Sequence, residues 1–293
     1  MTSNSAQEPT SSVPDSSGWS AALYNKNANF VYSPAYTTPV LELLAAKPGE
    51  RIMDFGCGSG EVTVVIEKIV KGKEGGYIAA VDFSESMVRI KLDLAAFGVE
   101  KAKTQGLPET FVCDIQDLAF PPSSVYSGPR EEFDAVFTNA TLHWCKRNPS
   151  GVIRSAKRIL KRKGRFVGEM GGFLNCIGIR TALKTVLKSK GYDGLERDPW
   201  FFPSPEEYST LLEAEGFDVT HISLTPRLTP LETGLYGWLN TFARGSWLKD
   251  LTEQEADEIM KEVEEMCRID CQDGNGNWAM VYVRLRFVAV LDG

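Results

Sequence analysis

Two rhythms of apolar and polar positions alternate along residues 37–170. Short continuous apolar runs at 51–55, 77–82, 110–113, 133–138 and 164–169 read as buried strands. Stretches with helical spacing fall before and between them, at 38–46, 61–71, 84–97 and 150–162. The first is ended by Lys47-Pro48-Gly49 and the third is opened by Ser84 as N-cap. Strands alternating with helices in this order imply a parallel sheet covered on both faces. Beyond residue 170 the rhythm changes. Gly171-Gly172 opens a less regular stretch to about 203, and Ser204-Pro205-Glu206-Glu207 then starts a helix with a capping box, which Gly216 ends. A strand follows at 217–224, and the segment 230–250 carries Trp238, Phe242 and Trp247. Thr252 and Glu255 form a second capping box, opening a helix to about 268 whose apolar stripe is Ile259, Val263 and Met266 and whose carboxylates read as a solvated outer face. The closing run 278–291 reads as one long strand.

Composition narrows the class. The 293 residues are 43% hydrophobic and 24% charged, ordinary for a globular chain that buries a sizeable core. There is no apolar run long enough to span a bilayer, and residues 1–18 are polar and Ser-rich, without the charged and apolar regions of a signal peptide. That tail is expected to be disordered. The net charge of −7 weighs against nucleic-acid binding, which needs basic surface. The six cysteines are scattered, with no CxxC pair, which suits a reducing cytoplasm. With only two histidines in the chain, no metal site is expected. The expected partner is a small-molecule substrate, with no nucleic acid and no membrane, and a monomer is expected.

The strongest local signal lies at 52–63. Asp54 ends a strand, and Gly56, Gly58 and Gly60 follow at alternate positions before a helix. Glycines there permit a sharp turn and close approach of a ligand to the backbone. The dinucleotide fingerprint fails because Glu61 follows Gly60, and no Gly-Lys-Ser/Thr follows to make a P-loop. Aspartates also sit at the ends of the next two strands, Asp82 in AAVDFSESM and Asp114 in FVCDIQ. The carboxyl edge of an open α/β sheet is where ligands bind, although each aspartate could instead cap a turn or helix.

This D-x-G-x-G-x-G turn, the two later aspartates, FDAVFTNATLHW at 133–144 and LKRKGRFVGEMGG at 160–172 together resemble the motifs of class I S-adenosylmethionine-dependent methyltransferases. The resemblance implies a doubly wound, Rossmann-like α/β fold. Its sheet has seven strands with the last, near 279–290, antiparallel, and segments 172–203 and 229–275 form a helical cap on the domain 19–293. It also implies S-adenosylmethionine as cofactor. By that likeness Asp54 would hold the methionine end, Gly56 and Gly58 would pass beneath the ribose and amino-acid moiety, and Asp82 would accept the ribose hydroxyls. Met87 would pack on the adenine, though a core methionine is an equal reading. Asp114 would accept from the exocyclic amine beside the Ile115 backbone, and Asn139 would help hold the methionine portion.

Within the class the chain looks most like the trans-aconitate methyltransferase group, with juvenile-hormone-acid methyltransferases a second relative. Trp19, Tyr24, the TNATLHW segment, residues 207–219, 238–255 and the closing strand carry that likeness. Arg162 and Lys163 stand where the group has Pro and Gly, and the insertion 121–132 is longer than expected. Both relatives methylate carboxylates, which are ionised at neutral pH and need alignment but no base. Candidate residues at the acceptor are His143 and Trp144, with Trp19, Tyr24, Trp238 and Arg244 as substrate contacts. His143 could donate to a carboxylate, act as a base or be structural. Arg244 could grip a carboxylate or be solvated on a cap helix. His221 reads as structural, and Arg284 and Arg286 as the polar face or ends of the final strand. Methylation of nitrogen, carbon or a hydroxyl of a specialised metabolite is the alternative activity. A non-catalytic cofactor-binding scaffold is a third class, against which the full motif set argues.

Overall fold

The computed structural model describes residue 27 and residues 33–84, 110–120 and 133–292. Trp19, Tyr24 and Met87, the tail 1–18, the insertion 121–132 and the expected helix 84–97 beyond Ser84 lie outside the described residues. The described elements are α1 (Pro34–Leu44), β1 (Arg51–Phe55), α2 (Glu61–Val70), β2 (Tyr77–Asp82), β3 (Thr110–Val112) and β4 (Phe133–Asn139). After them come α3 (Pro149–Ile159), β5 (Leu160–Gly171), α4 (Ile177–Ser189), α5 (Pro205–Ala214), β6 (Phe217–Pro230), α6 (Gly234–Phe242), α7 (Glu253–Cys271) and β7 (Ala279–Leu291).

Seven strands form one sheet in the order β3-β2-β1-β4-β5-β7-β6. The pairs β1–β2, β2–β3, β1–β4 and β4–β5 are parallel, and β7 runs antiparallel between β5 and β6. The central strands are apolar along almost their whole length because both faces are covered. One face packs Val40 and Leu44 of α1 and Val62, Ile66 and Val70 of α2 on Ile52, Ile78, Ala135 and Phe137. The opposite face packs Val152, Ile153 and Ala156 of α3 and Tyr208 and Leu212 of α5 on Met53, Phe55, Val81 and Phe166. From β1 the chain builds outward to β3, then returns to place β4 on the other side of β1. The reversal opens a crevice at the carboxyl ends of β1 and β4, the switch point at which such sheets bind ligands.

Helices α4, α6 and α7 make a separate core with Trp200 and Trp247, joined by Met280 and Tyr282 of β7. Both capping boxes expected from the sequence are present, at Ser204/Glu207 and Thr252/Glu255. Three of the boundaries that differ from expectation have a clear physical cause. Helix α1 begins at Pro34, four residues early, because a proline at the first helical position loses no hydrogen bond. Helix α3 stops at Ile159, because Leu160 pairs with Phe133 and a bulge then carries Lys163 at φ 62° before Arg165 meets Ala135. Strand β6 continues past Leu224 to Pro230, paired with β7 throughout. As an edge strand it accommodates Pro226 and Pro230.

Candidate active site

The loop after β1 is shaped by its glycines. Gly56, Gly58 and Gly60 all have left-handed φ, at 77°, 54° and 94°. A Cβ on Gly56 would lie 2.1 Å from the Thr141 hydroxyl, so no larger residue fits. The Gly58 N–H donates to the Asp82 carboxylate at 2.9 Å, and so does the Ser84 N–H. Asp54 is buried and accepts from the Thr63 hydroxyl at 2.6 Å. Asp114 accepts from the Gln116 backbone N–H at 2.9 Å and from Arg147 at 2.5 Å. It therefore caps the 3-10 turn Ile115–Asp117 while its side chain also faces the crevice.

These residues surround a cavity of about 350 Å³ at the carboxyl edge. Asp54, Gly56, Gly58, Asp82, Asp114, Ile115 and Asn139 all line it, and so does Trp144; the far wall comes from Thr241, Phe242 and Ser246 around the end of α6. Among the described residues three carboxylates face one cation, Arg147, so the donor set suits a cationic ligand that also carries hydroxyls.

A smaller cavity of about 40 Å³ adjoins the first, sharing Asn139, Ala140, Trp144 and Phe242 with it. Ala140 holds a left-handed φ of 56° at this junction. His143, Trp200, Trp238 and Tyr282 line the inner cavity, and the Trp238 indole N–H donates to the Tyr282 hydroxyl. Trp144 stacks on Phe242 and meets Trp200 edge-on, which makes the junction aromatic. His143 is buried, and its Nδ1 accepts the Gly171 backbone N–H at 3.3 Å. Burial, helped by the Arg284 charge, pushes its pKa well below the ordinary histidine value. The ring is neutral at pH 7, with its proton on Nε2.

Two expectations are corrected. Arg244 lines neither cavity; its guanidinium is occupied by Asn240, Glu253 and Asp257, because it follows α6 and faces the acidic first turn of α7. Arg284 and Arg286 are not the polar face or ends of the final strand but part of a buried ion cluster. Arg284 is 4% exposed, and the two Nε–H groups donate to buried Glu169 at 2.9 and 2.5 Å. Arg227 completes the cluster, its Nη1 lying 3.7 Å from Glu169. Burial pushes the Glu169 carboxyl up, but Arg284, Arg286 and Arg227 outweigh it and hold its pKa below the usual range. Burial and the neighbouring Arg284 charge hold Arg227 below the ordinary arginine value. Reading of the sequence missed Glu169 and Arg227. The available signal was charge inside apolar strands, in FVGEMGG and VRLRFVAV, where a buried ion needs a partner. His221 is exposed on β6, with its Nε2 3.1 Å from the Ser223 hydroxyl.

The fold and the crevice are those of a Rossmann-like methyltransferase. A methyltransferase domain family matches residues 53–168, from β1 into β5. A methyltransferase of Schizosaccharomyces pombe is 30% identical over 278 residues, covering 92% of this chain and 97% of its own. Trans-aconitate 2-methyltransferase of Mycolicibacterium gilvum is 29% identical over 141 residues, 48% of this chain and 45% of that one. Among solved structures, a methyltransferase from Bacillus halodurans superposes with a TM-score of 0.58 at 15% identity, covering 88% of this chain and all of that one. The chain belongs to the class I S-adenosylmethionine-dependent methyltransferases.

Proposed function

We propose that this methyltransferase transfers its methyl group to a carboxylate oxygen of a small molecule. One observation carries the reading. The single lone pair of neutral His143 is taken by the Gly171 N–H, so the acceptor side offers no free imidazole base. The Cys145 thiol in the outer cavity is no substitute, since burial pushes its pKa up to about 12. An amine or hydroxyl acceptor would have to lose a proton, whereas a carboxylic acid, with a pKa near about 4, has already lost it. The partial relative named for trans-aconitate supports the same reading.

On the cofactor side Asp54 would hold the ammonium end, with Asn139 beside it, and Gly56 and Gly58 would admit the ribose and amino-acid portion. Asp82, which lines the outer cavity and accepts the Gly58 and Ser84 N–H groups, would meet the ribose diol. Asp114 and the Ile115 backbone would meet the adenine edge. Bound there, the cofactor supplies a methyl group already activated on a sulfonium. A carboxylate oxygen held in line would form the C–O bond as the C–S bond breaks, with the electron pair leaving on sulfur and no proton to move. The wall of Trp144, Trp200 and Phe242 keeps water from the anion and fixes its line of approach. Incubating the protein with labelled S-adenosylmethionine and a panel of small acids, amines and phenols tests this. Mass spectrometry should find methyl esters; methylated amines or phenols without esters would overturn it.

A further inference from the structure

Among the described residues, Glu169 is the only carboxylate lining the inner cavity, and three guanidinium groups gather on it. Arg284 and Arg286 satisfy its two oxygens, one each. Arg227 is left over. Its Nη1 stands beyond hydrogen-bond range of Glu169, and both its Nε and its Nη1 are buried without a hydrogen-bond partner. The Tyr36 ring lies 4.0 Å from the guanidinium carbon, a cation–π contact that offsets part of the burial cost. Stacking leaves the in-plane N–H donors unmet. The nearby His143 ring is neutral, so the cluster carries one negative charge against three positive ones. An excess of largely buried cation with unused donors at Arg227 Nε and Nη1, lining a cavity of about 40 Å³, is costly unless an anion completes it.

We propose that Arg227, backed by Arg284, forms an anion subsite that holds a carboxylate of the acceptor other than the one being methylated. The identity of the reacting group rests on the carboxylate reading above; the subsite itself does not. Charge decides which group sits here. In methyl transfer to a carboxylate the anion and the sulfonium neutralise each other, so a guanidinium on the reacting carboxylate would stabilise the ground state more than the transition state. A carboxylate that keeps its charge throughout loses nothing by resting on Arg227, and it anchors the reacting end. The shared wall of Asn139, Ala140, Trp144 and Phe242 lets one molecule reach from the inner cavity into the outer one.

Calorimetric titration of the full chain saturated with S-adenosylhomocysteine tests this, with glutarate and pentanoate, its monoacid of equal length, as probes. Glutarate should bind at least about tenfold more tightly, as expected for a charge-assisted contact to a largely buried guanidinium. Arg227→Gln should reduce that preference below about threefold without changing affinity for S-adenosylhomocysteine. Arg227→Met should unfold at the same or a higher temperature, because Arg284 and Arg286 still satisfy Glu169. Equal binding of the two acids, including no binding of either, would overturn the subsite. So would a preference that survives in Arg227→Gln, or failure of Arg227→Met to fold. Tight glutarate binding with no ester formed on turnover would keep the subsite and remove the carboxylate reading. Esters formed equally from both acids would do the reverse.

Discussion

Asp82 joins two tasks in one carboxylate. It accepts the Gly58 and Ser84 N–H groups, which fixes the glycine loop, and it lines the outer cavity. Asp82→Ala should weaken S-adenosylmethionine binding by about 1.5–3 kcal/mol, the range for a hydrogen bond to a charged group. Unchanged affinity by calorimetry in a folded variant would remove Asp82 from the site. His143 has a different signature. Its pKa is lowered by burial, so below the unfolded histidine value of about 6.5 the unfolded chain takes up a proton that the folded chain refuses. Stability from this group is therefore present above about pH 6.5 and lost as pH falls below it. His143→Asn should flatten the decline of melting temperature between about pH 6.5 and 5 and keep substantial turnover. A variant that loses turnover and keeps the wild-type decline would show that the ring acts as a base.

At the scale of elements, the strand–turn–helix units were readable because each carries its own signal. β1 and β2 match their expected bounds, and the aspartate at or near each strand end marks the crevice directly. Capping boxes are equally local. Thr252→Ala should cost about 1 kcal/mol, since it removes the side-chain acceptor of the Glu255 N–H at the start of α7. Urea unfolding should show a shifted midpoint, and an unchanged midpoint would mean that the box contributes nothing. The cluster around Glu169 was not readable in the same way. Glu169 and Arg284 are 115 residues apart, and they meet only because β7 inserts antiparallel between β5 and β6. Sequence alone gives no register for that pairing, so Arg284 and Arg286 looked like a polar face. Arg227 was hidden further, because β6 runs on through Pro226 to Pro230, where the apolar pattern had faded. Arg244 failed for the same reason in reverse. It carries the right chemistry, but its partners Glu253 and Asp257 come from the next helix.

In the whole molecule, the outer cavity lies at the switch point between β1 and β4, and β5, β6 and β7 contribute Glu169, Arg227, Tyr282 and Arg284 to the inner one. Among the described residues, an acidic wall in the outer cavity thus stands apart from an inner cavity richer in cation, with an aromatic junction between them. That polarity suits an anionic acceptor crossing toward a sulfonium. On the proposed acceptor side the Nδ1 lone pair of His143 is already taken by the Gly171 N–H, and transfer to a carboxylate would draw its rate from positioning. The measurement closest to this claim is the fate of the transferred methyl group. Product formed with methyl-labelled S-adenosylmethionine should release its label as methanol on mild alkaline hydrolysis, as a methyl ester does. Label that stays on an alkali-stable product, together with loss of activity in His143→Asn, would contradict transfer to a carboxylate.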